Sequence, residues 1–226
     1  MSREIIFPVV WLSCVACVST QEFLNGWRNG IVVCAGNSLT FGYLLPDPSL
    51  QSYPGLLGNS YAVNSLRVTV FNKGVNGITT QQMIVAGPSQ IDPLLVPGVK
   101  NVCVAWEIGN DIWFNGTDGA TAYNNFKTYC LARQAAGWQV VVMTVPPRNA
   151  VSAFGDSPAQ YMAKVNQANA LLRVGYQSFS SGLVDIAIIP ELAVVNPVYY
   201  YPDNIHIRAN GYVLIEGKVS NQLFNN

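Results

Sequence analysis

Five short Val- and Ile-rich runs, separated by segments of helical character, constrain the fold of this chain more than any other feature of its sequence. The runs cover residues 31–36, 67–74, 101–109, 139–147 and 183–189. They lack the strict apolar–polar alternation of a strand that has one solvent-exposed face. We therefore expect strands that are covered on both faces. Such strands alternating with helices predict an α/β domain with a central, mostly parallel five-stranded sheet.

Helix-end signals flank several of the intervening segments. Residues 121–137 form a strong helix candidate with Gly137 as its C-cap, and residues 157–179 form a second with Ser157 as its N-cap. A last helix is predicted over residues 210–223. These helices supply the layers that would cover the two faces of the sheet.

A short apolar segment at the N-terminus precedes the predicted domain. Residues 21–226 are expected to form a single domain, since a chain of 226 residues falls within the usual size of one. Residues 1–20 contain an apolar stretch from Ile5 to Val18. It has two interpretations, a secretory signal peptide or an ordered N-terminal arm, and it is too short for a membrane span. The first interpretation implies a secreted or cell-envelope protein, and the second a cytoplasmic one.

Charge and cysteine content narrow the classes of function. Lys and Arg together number 12, as do Asp and Glu, and no basic stripe is present, so nucleic-acid binding has no electrostatic basis. Cys14 and Cys17 have the spacing of a metal or redox pair, but no second pair accompanies them. Cys34, Cys103 and Cys130 are interpreted as packing groups. No metal and no cofactor is predicted, and the oligomeric state is left open.

Polar residues and glycines follow four of the five predicted strands, where ligands bind in parallel α/β sheets. They are Ser38 after the first run, Gly74 and Gly77 after the second, Asn110 after the third, and Asp203 and His206 near the chain end. Acyl transfer needs such groups: a hydroxyl nucleophile with a base, an acid that orients the base, and N–H donors for the oxyanion. Each is an ordinary turn or cap residue when taken singly, but their shared position favours a catalytic site.

Four segments resemble the sequence blocks of the SGNH (GDSL-type) hydrolase family. They are GNSLT at 36–40, NKGVNGITT at 72–80, GND at 109–111 and DNIH at 203–206. The resemblance implies a flavodoxin-like three-layer sandwich, the SGNH hydrolase fold, and it implies ester hydrolysis. One position departs from it, because the family usually has Asp where this chain has Asn37. We interpret that change as one of loop stability or pH response.

The resemblance also implies a role for each site residue. Ser38 would be the nucleophile, His206 the base and Asp203 its orienting partner. The oxyanion hole would consist of the backbone N–H groups of Ser38 and Gly77 and the side chain of Asn110. His206 is the only histidine in the chain. Because a carboxylate three positions away favours the charged imidazole, we expect its pKa at or somewhat above the free value of about 6.5.

Aromatic residues flank the same blocks and have two interpretations. Phe41, Tyr43, Trp106, Trp113 and Phe114 would wall an apolar or sugar-stacking cleft, or they would belong to the core.

We expect a serine esterase for short-chain or carbohydrate-borne acyl groups. A lysophospholipase or thioesterase for longer acyl chains is an alternative, and so is a non-catalytic carbohydrate-binding or virion-surface protein on the same scaffold.

Overall fold

A computed structural model of the protein describes residues 29–224, and its centre is a five-stranded parallel sheet. The strands are β1 (Gly30–Gly36), β2 (Val68–Gly74), β3 (Lys100–Trp106), β4 (Gln139–Met143) and β5 (Gly182–Val184). They lie side by side in the order β2-β1-β3-β4-β5, and every neighbouring pair is parallel. This is the flavodoxin-like strand order, so the predicted fold class is confirmed. The interpretations of residues 1–20, with Cys14 and Cys17, lie outside the described residues.

Helices cover both faces of the sheet. They are α1 (Ser38–Phe41), α2 (Pro48–Gln51), α3 (Tyr53–Gly58), α4 (Tyr61–Leu66), α5 (Thr80–Gln90), α6 (Gly109–Asn115), α7 (Gly119–Ala135), α8 (Pro158–Gly175) and α9 (Ala209–Phe224). Short 3₁₀ turns occur at Asp92–Leu94, Tyr176–Ser178 and Ile186–Ile188. Within residues 29–224, none of the helices combines the length and the apolar character that crossing a membrane requires.

The sheet separates two apolar cores, and alternate residues of each central strand enter opposite ones. Val32 and Cys34 of β1 pack into the core that includes α3 and α9. Val33 and Ala35 pack into the core built with α7 and α8. Both faces of the strand are therefore buried from solvent, which explains why the sequence shows continuous apolar runs rather than alternation.

The predicted fifth strand, 183–189, is wrong in extent. The strand is Gly182–Val184, and a 3₁₀ turn at Ile186–Ile188 follows it. Between the strand and the turn, the carboxylate of Asp185 accepts a hydrogen bond of 2.9 Å from the hydroxyl of Thr144. The apolar character of residues 186–189 comes from packing in a turn rather than from a sheet.

The third and fourth strands also end earlier than predicted, and helix boundaries differ: α7 ends at Ala135 with Ala136, rather than the predicted Gly137, as its C-cap. β3 ends at Trp106 rather than at residue 109, and β4 at Met143 rather than at 147. Helix α7 begins two residues early because the carboxylate of Asp118 accepts from the first backbone N–H groups. Helix α8 begins after its predicted N-cap, Ser157, but ends at Gly175. The shortened strands leave more chain at the carboxyl edge of the sheet for loops.

The buried thiols give a testable consequence of this packing. Cys34, Cys103 and Cys130 are free and have no exposed surface. Burial raises the pKa of each thiol above its usual value, to about 12 for Cys103. Because the thiolate is the reactive form, iodoacetamide should leave all three unmodified in the folded protein and alkylate them in urea. Peptide mass mapping is the measurement, and labelling of any of the three before unfolding would contradict the packing.

Candidate active site

The predicted nucleophile lies at a strand-to-helix turn. β1 ends at Gly36, Asn37 is the N-cap of α1, and Ser38 is the first residue of that helix. The Asn37 side-chain oxygen accepts from the backbone N–H of Leu39 at 2.9 Å. From the opposite side, the hydroxyl of Tyr212 in α9 donates to the carbonyl of Leu39 at 2.8 Å. The turn is thus fixed at both sides, and the serine side chain is held at the carboxyl edge of the sheet.

His206 joins Ser38 to Asp203 in a continuous hydrogen-bonded chain. His206 Nε2 lies 3.0 Å from Ser38 Oγ, and its Nδ1 lies 2.6 Å from Asp203 Oδ2. The other oxygen of Asp203 accepts from the backbone N–H groups of Ile205 and His206, both at 3.0 Å. With the ring proton on Nδ1, the imidazole donates to the carboxylate and accepts from the serine. This arrangement can carry a proton from the serine hydroxyl to the imidazole.

Gly77 and Asn110 face the same cavity as Ser38. Gly77 has a φ of +75°, in the region that favours glycine. Asn110 is the second residue of α6, and its amide nitrogen donates to the carbonyl of Ile78 at 2.9 Å. Gly74 serves packing instead, since a side chain there would meet the backbone of Phe41. The structure therefore places at one cavity the three residues that were predicted to supply the oxyanion donors.

The cavity has a volume of about 150 Å³ and a mostly apolar wall that includes the rings of Tyr43, Trp113 and Phe114. Its lining residues are Ser38, Tyr43, Asn76, Gly77, Asn110, Trp113, Phe114, Arg148, Ile205 and His206. The Tyr43 ring meets the His206 ring edge-on, with centroids 4.9 Å apart. Within residues 29–224 no cluster of three or more His, Cys, Asp or Glu side chains could hold a metal ion.

The cleft prediction for Trp106 is wrong. Trp106 is the last residue of β3 and is 1% exposed, in the core shared with α9. Its indole N–H donates to the carbonyl of Thr144 at 3.0 Å, so the ring is tied inside the domain. Side-chain alternation along β3 directs this residue to the core. Phe41 is 38% exposed and lies outside the cavity lining, whereas Trp113 and Tyr43 belong to it.

Sequence reasoning missed Arg148, which follows β4. It is 3% exposed, and its two terminal nitrogens donate to the side-chain oxygen of Asn110 at 3.2 and 3.3 Å. The guanidinium also lies over the rings of Trp113 and Tyr161, at 5.3 and 5.5 Å. Because arginine only donates, the Asn110 oxygen must face it, and the Asn110 amino group then faces the carbonyl of Ile78. The strand-end rule would have found Arg148 if it had been applied to the fourth strand.

Glu107 was also missed, although it directly follows β3. It has no exposed surface, and one carboxylate oxygen accepts from the Asn37 side chain at 2.6 Å. The other accepts from the backbone N–H of Asn110 at 3.0 Å. Burial raises the pKa of Glu107 well above its usual value, the Asp111 carboxylate raises it further, and Arg148 opposes both. Asn37, the one departure from the family pattern, is therefore a donor to a buried acid.

The pKa of His206 lies below its usual value, whereas the sequence predicted a pKa at or somewhat above it. Burial lowers the pKa of the imidazole, whose side chain is 13% exposed. The hydrogen bond and charge of Asp203 raise it, the charge of Arg148 lowers it, and the net result is a pKa below the usual value. The sequence places the carboxylate beside the ring but contains no direct measure of how deeply the ring is buried. For Asp203, burial raises the pKa, but the hydrogen bonds from His206 and Ile205 outweigh burial and lower it overall.

Comparisons with known proteins find a family match over most of the chain and several structures of the same fold. Residues 34–214 match the GDSL-like Lipase/Acylhydrolase family. No curated protein matches the sequence. A lipolytic protein of the G-D-S-L family from Veillonella parvula DSM 2008 superposes with a TM-score of 0.68 at 18% identity, over 87% of this chain and 99% of its own.

Two further solved structures show the same fold. The psychrotrophic esterase EstA from Pseudoalteromonas sp., inhibited by monoethylphosphonate, has a TM-score of 0.65 at 15% identity, over 87% of this chain and 99% of its own. A putative acylhydrolase from Bacteroides fragilis NCTC 9343 has a TM-score of 0.62 at 20% identity, over 89% and 94% of the two chains.

The single histidine allows the pKa to be measured directly. In protein without a histidine tag, the imidazole signals in an NMR titration should report a pKa below about 6.5, because burial disfavours the charged ring. Asp203→Asn removes a contribution that raises the pKa, so its midpoint should move to still lower pH. A wild-type midpoint above the free value, or one unmoved in Asp203→Asn, would contradict this account of the pair.

Proposed function

This chain belongs to the GDSL-like lipase/acylhydrolase family, and we propose that it hydrolyses carboxylic esters through an acyl-enzyme on Ser38. The observation that carries the proposal is the hydrogen-bonded chain from Ser38 through His206 to Asp203, beside a cavity. A packing role needs no such alignment of hydroxyl, imidazole and carboxylate at one cavity wall. The alignment supports nucleophilic catalysis.

In the first half-reaction, Ser38 Oγ attacks the ester carbonyl carbon while His206 Nε2 takes the hydroxyl proton. The imidazolium that forms is stabilised by the carboxylate of Asp203, which stays ionised. Collapse of the tetrahedral intermediate breaks the bond to the alcohol oxygen, and His206 returns the proton to that oxygen. The alcohol departs and the acyl group remains on Ser38. The lowered pKa of His206 supports its role, since the neutral ring accepts the proton.

The oxyanion of the intermediate would be bound by three donors at the cavity: the backbone N–H groups of Ser38 and Gly77 and the side-chain amide of Asn110. Arg148 holds that amide through its oxygen, and a side chain fixed before substrate binds supports a role as a preorganised donor. In the second half-reaction, His206 takes a proton from water, the hydroxide attacks the acyl carbon, and Ser38 leaves with the proton. The products are the acid and the regenerated serine.

Cavity size supports a short acyl group. Its volume of about 150 Å³ is below the range of about 300–1,000 Å³ that drug-sized ligands occupy. Tyr43 beside His206 offers a stacking face for a sugar alcohol, which supports a carbohydrate-borne ester. A second candidate, a lysophospholipase or thioesterase for longer chains, is favoured by the exposure of Tyr43 and Phe114, which extend the apolar wall to the surface.

A chain-length series of p-nitrophenyl esters tests this proposal. We expect the highest kcat/KM with acetate or butyrate, and a maximum at octanoate or longer would favour the second candidate. Ser38→Ala should fold normally and lose at least about 10⁴-fold in kcat, because the covalent route disappears. Ser178→Ala, an exposed serine after α8, is the matched control and should keep the wild-type rate.

A fluorophosphonate probe provides an assay that does not depend on choosing the right ester. The related EstA structure contains a phosphonate-inhibited esterase, and here the probe should label Ser38 in wild type and Ser178→Ala but not in Ser38→Ala. Absence of both labelling and turnover in wild type would favour a non-catalytic binding protein and would contradict the proposal.

Asn110→Ala tests the oxyanion hole. We expect a loss of about 10²- to 10³-fold in kcat with a smaller change in KM, because the amide acts on charge that exists only in the transition state. Asn124→Ala, an exposed asparagine on α7, is the control. A loss confined to KM would make Asn110 a substrate-binding residue, and a melting temperature lowered in step with activity would indicate misfolding of α6.

A further inference from the structure

We propose that Glu107 is a positioning residue for this site, which links the nucleophile turn to the oxyanion donor Asn110, and that Asn37 is its matched partner. The inference rests on the proposed function, because it concerns the alignment of groups that act in ester hydrolysis. Glu107 is not among the cavity-lining residues, so it acts through its two neighbours rather than on the substrate.

The link consists of three hydrogen bonds in sequence. Leu39 N–H donates to the Asn37 side-chain oxygen, and the Asn37 amide nitrogen donates to Glu107 Oε2 at 2.6 Å. Glu107 Oε1 then accepts from the backbone N–H of Asn110 at 3.0 Å. The first bond fixes the turn that carries Ser38 at the end of β1, and the last fixes the start of α6 at the end of β3. The distance between nucleophile and oxyanion donor therefore depends on the carboxylate between them.

A carboxylate suits this position because both of its partners donate. An ionised glutamate has only acceptors, whereas a glutamine would turn an N–H group toward one of the two donors. Arg148 supplies a nearby positive charge that favours ionisation, against the effects of burial and of the Asp111 carboxylate. Asn110 thus lies between Glu107 at its backbone N–H and Arg148 at its side-chain oxygen.

The backbone between Glu107 and Asn110 needs such support. Ile108 has a φ of +98°, which is an outlier for a β-branched side chain. Strained residues persist where their surroundings hold them, and they concentrate at functional loops. The bond from Asn110 N–H to Glu107 closes the turn across Ile108 and Gly109. The same carboxylate thereby stabilises the strained turn and ties it to Asn37.

The identity of residue 37 follows from that of residue 107. An aspartate at position 37 would place two carboxylates within hydrogen-bond distance, and such a pair cannot both ionise. Asparagine keeps the oxygen that caps Leu39 and adds the donor that Glu107 needs. With aspartate at position 37 and glutamine at position 107, the carboxylate and the amide change places. Each contact then again joins one donor to one acceptor. This makes the link testable by a reciprocal swap.

The experiment compares Asn37→Asp, Glu107→Gln and the double variant, with Glu216→Gln on α9 as a matched control outside the cavity. Each single variant should lower kcat with KM nearly unchanged, and the double variant should recover it to within about 3-fold of wild type. A coupling of the usual size between contacting residues corresponds to about 2- to 150-fold. Wild type, the two single variants and the double variant form a double-mutant cycle for kcat. The free energies of unfolding of the same four proteins in urea give the corresponding cycle for stability.

The pH profile provides a readout that a merely structural contact would not move. In Asn37→Asp the two facing carboxylates can share a proton only below their raised pKa, so kcat relative to wild type should fall as pH rises. The groups facing this pair are Asp111 and Arg148, and both are unchanged in the variants. In the double variant the ratio should be independent of pH, because no second carboxylate remains at the contact.

The outcomes separate this inference from the proposed function. A double variant no more active than the worse single variant would overturn the matched pair. Single variants that lose stability but keep wild-type kcat would make Glu107 a core residue and overturn its positioning role. A wild type without turnover or fluorophosphonate labelling would overturn the proposed function and the positioning role together. The unfolding cycle would then still decide whether the hydrogen bond between residues 37 and 107 exists.

Discussion

Strand β1 pairs with β2 on one side and β3 on the other, in a register that places Gly36 opposite both Gly74 and Trp106. Since the three strands are parallel, their carboxyl ends lie at one edge, and the residues that follow them meet there. Ser38, Gly77 and Asn110 each lie two to four positions beyond the paired residues. A slip of one residue in either pairing would exchange the core faces of a strand and separate these groups.

Three ionisable side chains are buried at this edge of the sheet. The protein has no net formal charge, yet Glu107, Asp111 and Arg148 are almost entirely buried beside the cavity. Buried charges are tolerated when they are compensated and hydrogen-bonded. Here each contacts an atom of the site or of its supporting backbone, Asp111 through the N–H of Thr80 at the start of α5. These buried groups act together as supports for loops, and the charge of Arg148 also favours the neutral form of His206.

Sequence predicted the fold and the site candidates, but not the supporting groups. Val- and Ile-rich runs located all five strands because burial on both faces leaves a continuous apolar pattern. The predicted strand ends were wrong at residues 107–109, 144–147 and 185–189, where the chain leaves the sheet for loops, turns or the start of a helix. Trp106 was misplaced because its type suits a cleft as well as a core, and only its position on β3 decides. The lowered pKa of His206 depends on burial, which one sequence does not reveal.

The hydrogen bond from Tyr212 to Leu39 has a consequence for synthesis of the protein. It joins the last helix to the turn that carries Ser38, near the other end of the described chain. During translation β1 to β4 are made before His206 and α9. Until then the turn at Ser38 and Leu39 lacks its hydrogen bonds with His206 and Tyr212, which lie 168 and 173 positions further along the chain. The hydrogen-bonded chain at Ser38 can therefore form only after nearly all of residues 29–224 have been synthesised.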